Sequence, residues 1–145
     1  MVRNELANAL TEILAPIGFK RKGNYWVVNC SEINKLVNLQ KSQYSNTYYL
    51  NYGFIIKSIP LDNLMTHTYN RISIYGNNEA MNILNLENDI EDNDRKLRLK
   101  EIILQQLMPK MQTINSEQDV LDYIKTLPTF NTIPGVVKEY FKLKS

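Results

Sequence analysis

Hydrophobic and polar positions along the chain divide it into a helical start, a stranded middle and a helical end. Val2, Leu6, Leu10, Ile13, Leu14 and Ile17 recur at steps of three and four residues. That spacing predicts an amphipathic helix of about four turns. Pro16 and Gly18 are expected to close it, with Gly18 in the left-handed position after the last turn. A basic corner of Lys20, Arg21, Lys22 and Gly23 then leads into a first strand over 24–30. Residues 31–34 read as a turn.

Between Asn38 and Phe54 (NLQKSQYSNTYYLNYGF) apolar and polar residues alternate on both sides of Ser45-Asn46. Alternation of this kind predicts two strands, over 35–44 and 47–57, each with one oily face. A two-residue hairpin at Ser45-Asn46 suits Asn46, which tolerates positive φ. The expected partners are then Leu39 with Tyr52, Val37 with Phe54 and Lys41 with Leu50. On the other face Gln40 lies opposite Asn51, Asn38 opposite Gly53 and Ser42 opposite Tyr49. Pro60 ends the third strand, because it cannot donate to a ladder. A polar segment containing His67 follows, and 71–75 reads as a short fourth strand ended by Gly76-Asn77-Asn78.

Beyond this the period changes to that of helices. An acidic stretch over 85–94 precedes a second amphipathic helix through Leu97, Ile103, Leu104, Leu107, Met108 and Met111, with a kink expected at Pro109. Ser116 and Asp119 resemble a capping box for a third helix, stopped by Pro128. Pro134 opens a last one. The expected fold is a single α+β domain over 1–145. It has an N-terminal helix, an antiparallel meander of about four strands, and C-terminal helices packed on the sheet.

The 145 residues suffice to bury a core without a staple. Hydrophobic residues make up 43% of the chain and charged residues 22%, with no apolar run near the about 20 residues a bilayer needs. The first residues carry charge where an export signal would be apolar. A single cysteine, Cys30, fits a reducing cytoplasm, the expected location. The net charge of +2 is weak for a nucleic-acid binder.

Candidate chemistry is sparse. His67 has no nucleophile or acid at catalytic spacing and reads as a surface residue; Cys30 reads as a structural thiol. Counting from Asp89, the sixth and twelfth places of a calcium loop hold Asp94 and Lys100 instead of glycine and glutamate. Residues 89–94 therefore read as a solvated acidic turn, and no metal is expected. No glycine-rich phosphate loop occurs, and no cofactor is expected.

The polar face of the hairpin is the remaining candidate. Asn38, Gln40, Ser42, Tyr44, Tyr49 and Asn51 would form a neutral patch rich in amides and tyrosines, a composition that suits a protein partner. The same residues also fit a Gln40–Asn51 pair buried under a helix, or the ordinary wet side of a sheet.

The segments LAPIGFKRKGNYW (Leu14 to Trp26) and VNLQKSQYSNTYYLNYGF (Val37 to Phe54) resemble a bacterial family, the domain of unknown function DUF4304. The likeness lies in Leu14, Gly18, Phe19, Gly23, Trp26, Gln40, Lys41, Ser42, Asn51 and Gly53. Arg71-Ile72 and the segment from Leu107 to Pro109 extend it more loosely. The resemblance implies an α+β domain without an agreed activity, and small bacterial domains of this kind often resemble immunity or partner proteins of secreted toxins.

The first expectation is thus a protein-binding domain of that type. The alternatives are a pocket for a small ligand or substrate around Gln40, Asn51 and Arg71, and RNA binding through Lys20, Arg21 and Lys22. Nucleic acid is disfavoured, and no membrane association is expected.

Overall fold

The computed structural model describes residues 1–72 and 79–144. Helix α1 spans Arg3–Leu14 and buries Leu6, Leu10 and Leu14, the stripe that the three- and four-residue spacing marked. Each such leucine stabilises the fold by about 2 kcal/mol. A single 3-10 turn, Ala15–Ile17, follows, and Gly18 closes it at φ +98°.

The strands are β1 (Lys20–Lys22), β2 (Tyr25–Asn29), β3 (Ile33–Lys41), β4 (Tyr48–Ile56) and β5 (Thr68–Arg71). Among the described residues they form one antiparallel sheet in chain order, each strand beside its predecessor. The expected basic corner is itself a strand. Gly23, at φ +64°, reverses the chain and sets Lys22 opposite Tyr25.

The central hairpin differs from the expected register by two residues. Lys41 pairs with Tyr48 instead of Leu50, Leu39 with Leu50, Val37 with Tyr52, Asn38 with Asn51 and Gln40 with Tyr49. The loop is 42–47, closed by the Ser42 amide donating to the Thr47 carbonyl at 2.8 Å. Its far side is held from outside the hairpin: Leu86 N donates to the Asn46 carbonyl at 3.0 Å, and Thr47 bridges to Asn85. Because side chains alternate with a period of two, a two-residue shift leaves every residue on its expected face.

The fourth expected strand begins earlier than 71–75. Strand β5 ends at Arg71, while Ser73 to Tyr75 and the Gly76-Asn77-Asn78 turn lie outside the described residues. Its start is set by side chains: Phe54 N donates to Thr68 Oγ1 at 3.2 Å and Ile56 N to His67 Nδ1 at 2.8 Å.

Helix α2 (Glu79–Leu84) opens the helical part of the chain expected beyond 78, where the sequence had marked no individual helix. Buried Arg95 donates to the carbonyls of Ile83, Asn85 and Asn88, satisfying the end of α2 and the turn after it. Burial pushes the guanidinium below its ordinary pKa, opposed by the nearby Asp92 carboxylate. Helix α3 (Asp92–Ile102) starts at Glu91, whose carboxylate accepts from Asn93 N and Asp94 N, so the acidic turn serves as its N-cap. A π turn, Ile103–Leu107, separates α3 from α4 (Met108–Thr113). Proline lacks an N–H and its ring crowds the carbonyl four residues back; widening the helix before Pro109 relieves both.

Helix α5 (Glu117–Lys125) starts where the capping pattern placed it, with Asp119 N donating to Ser116 Oγ at 3.1 Å. Ser116→Ala is expected to cost about 1 kcal/mol, read as a lower urea midpoint at unchanged m-value. Helix α6 spans Gly135–Tyr140.

The helices cover one side of the sheet. Trp26 Nε1 donates to Thr11 Oγ1 of α1 at 3.0 Å, the Phe54 and Tyr123 rings meet at 5.8 Å, and Lys35 donates to the Met111 carbonyl at the end of α4. Trp26, Val37, Leu39, Leu50 and Phe54 form the core between them.

Candidate functional site

The observed register sorts the remaining side chains. One cross-strand row on the side away from the helices runs Lys22, Tyr25, Asn38, Asn51 and Arg71, and the next runs Lys20, Val27, Leu36, Gly53 and Tyr69. Gln40 and Tyr49 form a third pair on the same face.

Asn51 is the centre of this face and is 0% exposed. A buried amide costs free energy unless its groups are paired, and here they are. Its Nδ2 donates to Asn38 Oδ1 at 3.2 Å and to Gln40 Oε1 at 2.9 Å, and its Oδ1 accepts from Arg71 Nε at 3.0 Å. Arg71 Nη2 also donates to Gln40 Oε1 at 3.2 Å, and the Tyr69 hydroxyl approaches the same oxygen at 3.4 Å. The guanidinium lies over the Tyr49 ring, 4.0 Å from its centre, a cation–π contact.

The expected trio of Gln40, Asn51 and Arg71 is thus brought together, and so are Asn38 and Tyr49. Ser42 and Tyr44 are not part of this face. They sit in the 42–47 loop, where Ser42 Oγ accepts from Tyr44 N at 3.2 Å and Tyr44 is 93% exposed. The basic triplet is divided by strand parity. Lys20 and Lys22 belong to the open face, whereas Arg21 lies 5.6 Å from the ring of buried Trp26 on the helix side. Trp26 therefore offers no stacking surface to a nucleic acid.

His67 is 0% exposed, which corrects the reading of it as a surface residue. Its Nδ1 accepts the Ile56 N–H, so Nε2 carries the proton and donates to the Pro60 carbonyl at 3.2 Å. The ring ties β4 to the 57–67 loop. Cys30 is half-buried at the end of β2, its N–H donating to the Ile33 carbonyl at 2.9 Å.

Tyr69 and Met65 belong to the open face and were missed by sequence reasoning. The segment Thr68-Tyr69-Asn70-Arg71 alternates as a strand does, and starting β5 there would have placed Tyr69 beside Gln40. Tyr69 is 49% exposed. The 57–67 loop returns over one end of this face, where the Tyr25 hydroxyl donates to Met65 Sδ at 3.4 Å.

A cleft of about 610 Å³ lies elsewhere, between the β5 edge and the π turn, lined by Tyr52, Asn70, Gln105, Gln106, Pro109 and Lys110 together with Arg71 and Ile72. Of the expected pocket trio only Arg71 borders it. Burial raises the phenol pKa of Tyr52 and of its neighbour Tyr123. No helix among the described residues is long and apolar enough to cross a membrane.

No curated protein and no solved structure matches the chain. The model of a family described as a domain of unknown function (DUF4304) matches residues 10–113, from the middle of α1 through the whole sheet to the end of α4. With most of its length matched, and with the α+β architecture the resemblance implied, the chain belongs to the DUF4304 family.

Proposed function

We propose that this chain is a small bacterial, cytoplasmic binding domain that holds a protein partner against the open face of its sheet. The specific form of the reading is an immunity or partner protein of a secreted toxin. One observation carries it: a sheet face whose central amides, Asn38 and Asn51, are buried and paired, ringed by exposed Gln40, Tyr69, Lys20, Lys22 and Arg71. Tyrosine and arginine are the side chains that dominate the energetics of protein interfaces. A rigid, already ordered face binds without the cost of ordering its side chains. The mechanism is steric, the face covering a site on the partner.

The test is co-expression with the product of the neighbouring gene. A photo-crosslinking residue replaces Tyr69 on the open face or exposed Leu97 on α3. An adduct is expected from position 69 and none from 97. Tyr49→Ala combined with Gln40→Ala is expected to lower capture about tenfold, with the circular dichroism spectrum retained. Unchanged capture by the folded double variant removes the reading.

A further inference from the structure

The open face shows a feature that goes past general stickiness. A guanidinium has two hydrogen-bonding edges, one formed by Nε and Nη2 and the other by Nη1 and Nη2. In Arg71 the first edge is taken by neutral acceptors, Asn51 Oδ1 at 3.0 Å and Gln40 Oε1 at 3.2 Å. One flat side lies on the Tyr49 ring at 4.0 Å. Two bonds along one edge and a ring against one face therefore hold an exposed arginine in one orientation. Among the described residues Nη1 donates to nothing.

Among the described residues no carboxylate forms an ion pair with Arg71. None of the five strands contains an aspartate or glutamate. Four acids occur in residues 1–72: Glu5, Glu12, Glu32 and Asp62. Glu5 and Glu12 lie on α1, Glu32 accepts from Glu117 N at 2.9 Å, and Asp62 lies in the loop after β4. Lys20 and Lys22 add positive charge to the same face. An arginine whose role was only to tie the sheet together would be served by a carboxylate partner. Here the fold supplies amides instead, which orient the fork and leave its charge available.

We propose that the outer edge of Arg71 is a socket for a carboxylate presented by an acidic segment of the protein partner. Asn51, Gln40 and Tyr49 act as its positioning residues. The proposal rests on the docking reading above and names the chemistry recognised. A bidentate carboxylate matches the free edge in shape as well as charge. Single-stranded nucleic acid is the lesser fit. Trp26 is buried, and Tyr49 is already covered by Arg71.

The experiment uses the full chain with three labelled probes: hexaglutamate, hexaglutamine and hexauridylate. Anisotropy measures affinity, and NMR follows the Arg71 Nε–H and the Gln40 side-chain amide. Hexaglutamate is expected to shift both signals to saturation while hexaglutamine leaves them in place. Arg71→Lys keeps the charge but loses the fork, and is expected to weaken hexaglutamate about tenfold; Arg71→Gln abolishes the effect. The Nε–H shift distinguishes this from general attraction to a cationic chain, which Arg71→Lys would leave unchanged. No shift with hexaglutamate, equal binding by Arg71→Lys, or tighter saturation of the same signals by hexauridylate each overturns the proposal. If the partner crosslinks at position 69 and Arg71→Gln still captures it fully, the carboxylate socket fails while the docking face stands. If no adduct forms at 69, the docking reading itself fails.

Discussion

Gly53→Ala is expected to destabilise the protein by about 3 kcal/mol or more, a large share of the about 5–15 kcal/mol that keeps a domain folded. The cause is space, since this glycine needs no left-handed conformation. A Cβ at position 53 would lie 2.1 Å from the Thr68 carbonyl oxygen and 3.0 Å from Thr66 Oγ1. The first neighbour is backbone of the adjacent strand, held in its ladder, and cannot swing aside as a side-chain tip would. Either β4 and β5 separate or the loop carrying Thr66 lifts from the sheet, and both lose buried contacts. Gly135→Ala is the control, because nothing lies within 4 Å of its added Cβ. That change is expected to be neutral or slightly stabilising. Urea denaturation of the two variants side by side checks both statements, and equal midpoints would contradict the account of Gly53.

The second large effect is expected at His67. His67→Ala removes the acceptor of the Ile56 N–H and the donor to the Pro60 carbonyl, and leaves a void where a fully buried ring was. An orphaned buried donor costs about 1–3 kcal/mol and the cavity adds to it, so a total of about 3–4 kcal/mol is expected. His67→Asn should recover part of this, because its side-chain oxygen can take the place of Nδ1 against the Ile56 amide. Hydrogen exchange at Ile56 is the direct readout. It should be fast in the alanine variant and partly protected again in the asparagine variant. A histidine acting in chemistry would show the opposite emphasis, with stability kept and function lost.

These two residues also show where sequence reasoning reached its limit. Gly53 could be recognised as part of a strand ending near glycine, but its requirement comes from Thr66 and Thr68, which are distant along the chain and adjacent only after β5 has paired. His67 carried no motif, since its partners are backbone groups, and backbone groups leave no mark on the pattern of residue types. The site itself was more legible. Alternation placed Asn38, Gln40, Tyr49 and Asn51 on one face without any structure. Arg71 joined them as the expected trio even though its strand was placed too late. Ser42 and Tyr44 were lost because the strand stops at Lys41, where the chain leaves to meet Asn85 and Leu86.

What the sequence determined alone is which side of each central strand a residue occupies, because a period of two survives any even shift in pairing. It also marked the apolar stripe of α1, the left-handed stop at Gly18, the Ser116 cap and the break before Pro109, all set by residues within a turn of one another. Tertiary structure decided the rest. It chose the register, with a wider loop over 42–47 that contacts with 85–86 hold in place. It buried Asn51 and His67, because burial depends on what a neighbouring element covers. It also split Arg21 from Lys20 and Lys22 between the two faces, because the turn at Gly23 makes a strand of what had read as a corner.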